Sequence, residues 1–242
     1  LEGRLVIPGL VDSHAHPGYI DVEQYGDISE TNKEDILAAV KKYADEHPDD
    51  EWLRLCCWPV GLYVEGNQGP NKKTLDAVVP DRPVWFVSQW WHSGWLNSKA
   101  LETLGVDQNT LDPKPGVATY VRDEYGELTG WVKEGAGWQY FAKQFPINEG
   151  AHKISHEENM ITGLRLLSEA GVTTLYDAGN FGFEDLVFGF MSKLEKEGKL
   201  PVRYEGTYQI FTPERVHSAI SEMRRYREEY GGDRLRFNTI KL

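Results

Sequence analysis

Cysteine is scarce in this chain. Its 242 residues hold two, Cys56 and Cys57, side by side. Neighbouring cysteines rarely bridge each other, so no disulfide framework is expected and a reducing compartment fits. No apolar run is long enough to span a bilayer, and no signal peptide opens the chain. Positive charge is in deficit: 26 Lys and Arg against 38 Asp and Glu, a net −12. That balance argues against nucleic acid or an anionic membrane surface as the partner. An initiator methionine is missing too. The chain starts at Leu1, just before a strand-like run, and stops inside another, Arg234–Leu242, so it reads as a fragment. These exclusions are compatible with a cytoplasmic protein and with a homo-oligomer.

Hydrophobic residues make up 40% of the chain, enough for a sizeable core. Near the start, the apolar run Leu5–Val11 is punctuated by Pro8-Gly9 and leads into Asp12-Ser13-His14-Ala15-His16. On a strand, side chains at i and i+2 leave the same face. If Leu10 to His16 is extended, His14 and His16 can share one metal ion, and imidazole suits zinc, iron, nickel or cobalt. The plain alternative is two histidines in a polar turn after a buried strand.

Further along, Thr31-Asn32-Lys33-Glu34 has the pattern of a capping box. It opens a helix with Ile36, Leu37, Val40 and Tyr43 on one face, stopping near His47 because Pro48 disfavours helix before it. Strands are expected at 51–58 and 83–88, with loops at 61–70 and 89–95. A short helix over 97–104 ends at Gly105, and Val117–Arg122 with Leu128–Val132 reads as a hairpin. From Ala151 the texture changes. Ser155-His156-Glu157-Glu158 is a second capping box, and helices alternate with strands that begin at Val172, Val202 and Leu235. Thr212-Pro213 carries the chemistry of a helix start. Strand spacing of roughly 30 residues is what βαβ units produce, and with Leu5–Val11 it implies four parallel strands.

Pro8-Gly9-Leu10-Val11-Asp12-Ser13-His14-Ala15-His16 resembles the first-strand signature of the amidohydrolase superfamily. Those proteins are metal-dependent hydrolases built on a (β/α)8 TIM barrel. Later stretches resemble one branch of it, amidohydrolase family 3, which includes N-substituted formamide deformylase and exoenzyme regulatory proteins. They are Asp81-Arg82-Pro83-Val84, His92-Ser93-Gly94-Trp95-Leu96-Asn97, Arg122–Gly130 with Glu134, Gly171–Gly179, and Phe237–Leu242. A closed barrel needs ~250 residues without insertions, and about half of this chain lies between His16 and Ala151. The resemblance therefore implies an α/β chain covering the first four barrel strands, with a large α+β insertion after strand 1. The expected divisions are 1–17 for the first strand, 18–150 for the insertion and 151–242 for barrel units 2–4.

The resemblance implies hydrolysis of an amide-like C–N bond in a small molecule through metal-activated water, with zinc the leading metal and one or two ions. It makes His14 and His16 metal ligands. Lys241, at the end of strand four, falls where superfamily members with two metals often carry a carboxylated, bridging lysine, so it is a candidate ligand and catalytic residue. Further family ligands come from strands five and six and an aspartate from strand eight, none of which is present, so the chain alone is expected to be inactive and short of metal. His92 is a candidate for substrate contact or proton donation. Trp95, Asn97 and Glu134 are candidates for substrate binding, while most of the cluster Trp85, Trp90, Trp91 and Trp95 is expected in the core. Asp177 at a strand's C-terminal end either orients a ligand histidine from behind or caps the next helix. His152 and His156 would pair on a helix only if Ser155 were not its cap. A non-catalytic binding or regulatory protein on the same scaffold is the alternative, and an aromatic carbohydrate platform a third reading.

Overall fold

The computed structural model describes residues 3, 5–19, 25–63, 69–134, 150–180, 182–210 and 213–242, without the side chains of 150–155. The expected cap at Thr212, the side chain of His152 and loop residues 64–68 lie outside the described residues. The chain divides into two compact units, Leu1–Val22 with Ile147–Leu242, and Glu23–Pro146. Strand β1 (Leu10–Ala15) opens the first unit. The second then runs through β2 (Gly26–Asp27), α1 (Lys33–Glu46), β3 (Leu53–Trp58), α2 (Lys72–Asp76), β4 (Val84–Ser88), β5 (Ser93–Leu96), α3 (Ser98–Leu104), β6 (Thr119–Arg122) and β7 (Leu128–Lys133). The first unit resumes with α4 (Gly150–Glu169), β8 (Val172–Asp177), α5 (Glu184–Lys196), β9 (Arg203–Gln209), α6 (Ala219–Glu229) and β10 (Leu235–Lys241).

In the first unit the sheet order is β1-β8-β9-β10, with every pairing parallel. This is the α/β arrangement that alternation at ~30 residues demands. Among the described residues the sheet is open, with β1 and β10 as its edges. Its core joins the sheet to α4, α5 and α6 through Met160, Leu164, Leu175, Val187, Phe188, Met191, Tyr204, Met223, Tyr226 and Phe237. Phe188 and Phe237 meet edge to face, centroids 4.7 Å apart. Gly206 on β9 makes room for this stack: a Cβ there would stand 2.4 Å from a ring carbon of Phe237. The glycine is selected by close approach of two aromatic rings, not by backbone conformation.

The second unit carries a six-stranded sheet in the order β2-β3-β4-β5-β7-β6. The pairs β2–β3 and β3–β4 are parallel, and those from β4 to β6 are antiparallel. Helix α1 buries Ile36, Val40 and Ala44 against a core that includes Leu53, Leu55, Trp58, Phe86 and Trp95. A second cluster gathers Trp85, Val87, Leu96, Leu101, Tyr120 and Val132.

Several local expectations are corrected. Leu5 to Ile7 are exposed coil and the strand begins at Leu10, because hydrogen bonding to its neighbour starts where Leu10 N–H reaches Gly171 O. The cap of α1 is Asn32, whose side chain accepts from the Asp35 N–H; the box is displaced by one residue from Thr31. Residues 93–95, expected as loop, join Leu96 in β5, because Trp95 and Leu96 supply two fully buried anchors for a hairpin with β4. Ser155 lies inside α4 and not ahead of it, since the helix already starts at Gly150. Helix α6 begins at Ala219, after a 3-10 turn over Pro213–Val216. Cys56 and Cys57, expected to stay apart, are bridged to each other.

Candidate metal centre

The parallel pairing of β1 with β8 sets the site. Ala15 is in register with Asp177, and Ala178 N–H donates to Ala15 O at 2.8 Å. His14 and His16 therefore leave β1 beside the C-terminal end of β8, the end of a parallel sheet where ligands collect. The pairing slips between Asp12 and Ala15, and the His14 N–H turns to Asp12 Oδ1 at 3.1 Å. The two imidazoles stand on the same side, centroids 5.3 Å apart and edge to face at 73°. Two rings ligating one tetrahedral ion through N at ~2.0–2.1 Å would have centroids about 5 Å apart, so the pair fits a shared cation.

His16 is further constrained. Its Nδ1 lies 2.9 Å from the carbonyl oxygen of Gly179. A carbonyl only accepts, so Nδ1 carries a proton, and in the neutral ring the lone pair is then on Nε2, the tautomer a metal requires. Gly179 can offer that carbonyl because its φ is +121°, and a Cβ there would meet the Gln209 side chain at 2.3 Å. Only glycine suits both conditions.

Behind Gly179 stands Asp177, fully buried at the end of β8. Its carboxylate accepts from Gly179 N–H at 3.0 Å, Asn180 Nδ2 at 2.6 Å and Tyr204 OH at 2.5 Å. Its backbone carbonyl accepts from the Thr207 hydroxyl. Burial pushes its pKa up, opposed chiefly by the Tyr204 hydrogen bond and more weakly by the Lys241 charge. Asp177 thus holds Gly179 by its N–H while Gly179 holds His16 by its C=O. It does not cap the next helix, which has Phe183 at that position. Lys241, at the end of β10 in register with Gln209, is half-buried. Burial lowers its pKa, and the Asp177 charge opposes that.

The other predicted residues belong to the second unit. His92 Nδ1 and Glu134 Oε2 lie 2.9 Å apart, both side chains largely exposed. Glu134 takes a φ of +55°, and its N–H donates to His92 O. Trp95 is fully buried, stacked on Phe86 at 5.9 Å, with its indole N–H on Asn71 O. Asn97 is fully buried as the cap of α3: Oδ1 accepts from Val84 N–H and Ala100 N–H, and Nδ2 donates to Val79 O and Arg82 O. Expected to touch substrate, Trp95 and Asn97 are instead framework, since the amide's donors and acceptor are spent on backbone. Trp85 is also core, whereas Trp90 and Trp91 are exposed. His156 is buried, its pKa lowered by desolvation, and its Nε2 makes no hydrogen bond among the described residues.

Sequence reading missed Gly179, Tyr204 and Asn180 as supports of the site. Gly179 acts through backbone atoms, and the other two lie one or more elements away from the histidines. It also missed that Asp27, Cys56 and Cys57 bring their donor atoms within 4.8 Å of one another.

Comparison with known proteins settles the relationship. The family model described as "Amidohydrolase family" matches residues 1–242. The chain belongs to the amidohydrolase family. Its relatives include the exoenzymes regulatory protein AepA of Pectobacterium carotovorum subsp. carotovorum, 31% identical over all of this chain and 52% of that protein. N-substituted formamide deformylase of Arthrobacter pascens is 25% identical over 56% of this chain and 25% of its own length. Among solved structures, an uncharacterized metal-dependent hydrolase from Pyrococcus horikoshii OT3 superposes with a TM-score of 0.52 at 20% identity. That superposition covers 96% of this chain and 42% of the other. The likeness is one of fold. This amidohydrolase chain spans about half the length of AepA and less of the other.

Proposed function

We propose that the protein to which this chain belongs is a metal-dependent hydrolase of an amide-like C–N bond in a small molecule, built on a TIM barrel of which β1, β8, β9 and β10 are strands one to four. The observation that carries the reading is the histidine pair: rings 5.3 Å apart, with His16 locked by Gly179 into the tautomer that ligates. His14 and His16 would hold a divalent cation, with zinc the leading choice. Lys241 would join them, since a half-buried lysine beside a cation site is better accommodated as an anionic carbamate than as an ammonium. When bound, such a cation acidifies a water toward a pKa of ~7 and polarises the substrate carbonyl. Asp177 and Gly179 contribute by fixing the ring of His16, which a metal would otherwise have to order on binding. His92 and Glu134 form a hydrogen-bonded acid–base couple open to solvent, and the reading gives them contact with substrate. No helix among the described residues is long and apolar enough to cross a membrane. The reading sets the protein in the cytoplasm, without nucleic acid as a partner.

Metal analysis of the full-length protein and hydrolysis of an N-formyl amine test this. Wild type should bind metal and release formate. The double substitution His14→Ala/His16→Ala should lose both while staying folded. Retention of metal and turnover in that variant would overturn the assignment.

A further inference from the structure

A second cluster of metal-binding side chains lies in the other unit, and nothing in the amidohydrolase reading uses it. Asp27 on β2 is the register partner of Cys56 on β3, and Ile28 N–H donates to Cys56 O at 3.0 Å. The strand then departs from regularity. Cys56 pairs with Val87 and Trp58 with Ser88, so Cys57 is an extra residue in β3. Its φ is +87°, a conformation few residues other than glycine adopt. Along a regular strand, two consecutive side chains point to opposite faces. The bulge at Cys57 cancels that alternation and turns both sulfurs to one place. A carboxylate oxygen of Asp27 and the two Sγ atoms consequently lie within 4.8 Å of one another. Asp27 is exposed, Cys57 half-buried and Cys56 buried, so the cluster opens to solvent on the carboxylate side.

We propose that Asp27, Cys56 and Cys57 form a thiol-gated site for a thiophilic divalent cation of the zinc or cadmium type. As the bridge stands, the two sulfurs are bonded to each other and carry no thiolate charge. A dithiol reductant supplies two electrons and two protons. The S–S bond breaks, both cysteines become thiols, and the reductant leaves as its own cyclic disulfide. Binding a cation then displaces the two thiol protons and gives two thiolate ligands and one carboxylate. Thiolates select soft cations over magnesium or calcium. Zn–S of ~2.3 Å at a tetrahedral angle puts the two sulfurs roughly 3.8 Å apart, a separation that breaking the S–S bond permits, with the Asp27 carboxylate within 4.8 Å of both. A two-electron thiol oxidant of the diazenedicarboxamide class, which takes the electrons of the two thiolates and two protons from water, restores the bridge and expels the ion. The site shares no residue with the histidine pair, so it stands or falls independently of that reading.

The test uses the full chain carrying His14→Ala and His16→Ala, which removes the imidazole pair. Samples treated with dithiol and then freed of it, or oxidised with diamide, are titrated with cadmium. The ultraviolet band of cadmium–thiolate charge transfer reports sulfur ligation specifically. Reduced chain should develop the band to one equivalent and oxidised chain should not. Cys57→Ser should abolish it, and Asp27→Asn should weaken binding by on the order of tenfold or more. The redox comparison is made on the same chain, so the proposal stays testable if Cys57→Ser misfolds. No band in the reduced chain, an equal band in the oxidised one, or full affinity in Asp27→Asn would overturn it.

Discussion

The imidazole of His16 donates its Nδ1 proton to the carbonyl of Gly179, a residue 163 positions further along the chain. The bond crosses from the end of β1 to the loop after β8, so the candidate metal ligand is aimed by a backbone atom just beyond its neighbour strand. Asp177 secures that backbone atom in turn, through the N–H of the same glycine.

Gly179→Ala should therefore damage the site without touching a ligand. The new Cβ would meet the Gln209 side chain in a backbone conformation alanine avoids, a cost of about 1–3 kcal/mol. Metal affinity should fall roughly 10–100-fold, as when other outer supports of metal ligands are removed. Urea denaturation and competitive zinc titration measure the two effects separately.

Asn97→Ala distinguishes framework from substrate contact. Four hydrogen bonds to backbone disappear together with a helix cap, which should cost about 2–4 kcal/mol. If the full-length protein hydrolyses an N-formyl amine as proposed, KM should be unchanged while kcat per folded molecule is retained. A selective rise in KM at unchanged stability would restore Asn97 to the substrate.

Packing between β9 and β10 can be tested by a pair of substitutions. Gly206→Ala drives a methyl group into the ring of Phe237, and overpacking of this kind costs about 1–3 kcal/mol. Phe237→Leu alone leaves space. The double variant should be more stable than the sum of the single losses predicts, and a coupling energy near zero would contradict the observed contact.

The pH dependence of one surface network has a definite sign. Asp185 receives Arg225 Nη1 at 2.7 Å and Nη2 at 3.1 Å, and Tyr230 OH at 2.8 Å. Those hydrogen bonds, Arg225 first, hold its pKa below the ordinary carboxylate value. A depressed folded pKa means stability that is present above the unfolded pKa, about 3.9, and lost as pH falls through the lower folded one. Its carboxylate side is well exposed, so Asp185→Asn should cost only ~0.5–1 kcal/mol at neutral pH. The gap between variant and wild type should close in strong acid, as read from urea midpoints across pH.

The histidine motif and the helix–strand alternation were legible because each rests on local periodicity. Spacing of two placed His14 and His16 on one side, while β8 and β10 begin at Val172 and Leu235 as expected and β9 begins at Arg203, one residue after Val202. Asn97 was visible as the residue before a helix, but its role was not. Whether a buried amide meets substrate or backbone depends on Val79, Arg82 and Val84, which come together only in the fold. The β5 hairpin was hidden because Ser93 and Gly94 carry weak strand propensity, and the burial of Trp95 and Leu96 overrides it. Gly179 was quoted as part of a motif, yet a carbonyl has no side-chain signature. The Cys56–Cys57 bridge depends on a bulge set by the register of β3 against β4, which no local rule anticipates.

The four-stranded sheet of the first unit has a further consequence. Beside β1, Leu5, Val6, Ile7, Leu10 and Val11 are all more than half exposed, and among the described residues the outer margins of β1 and β10 pair with no strand. A parallel sheet with bare borders and a greasy flank is an invitation to templated self-association. Expressed as this stretch by itself, the polypeptide should drift into oligomers and fibrils at a rate that climbs with concentration, and a single lysine in place of Val6 should slow that drift while leaving the histidine pair in place.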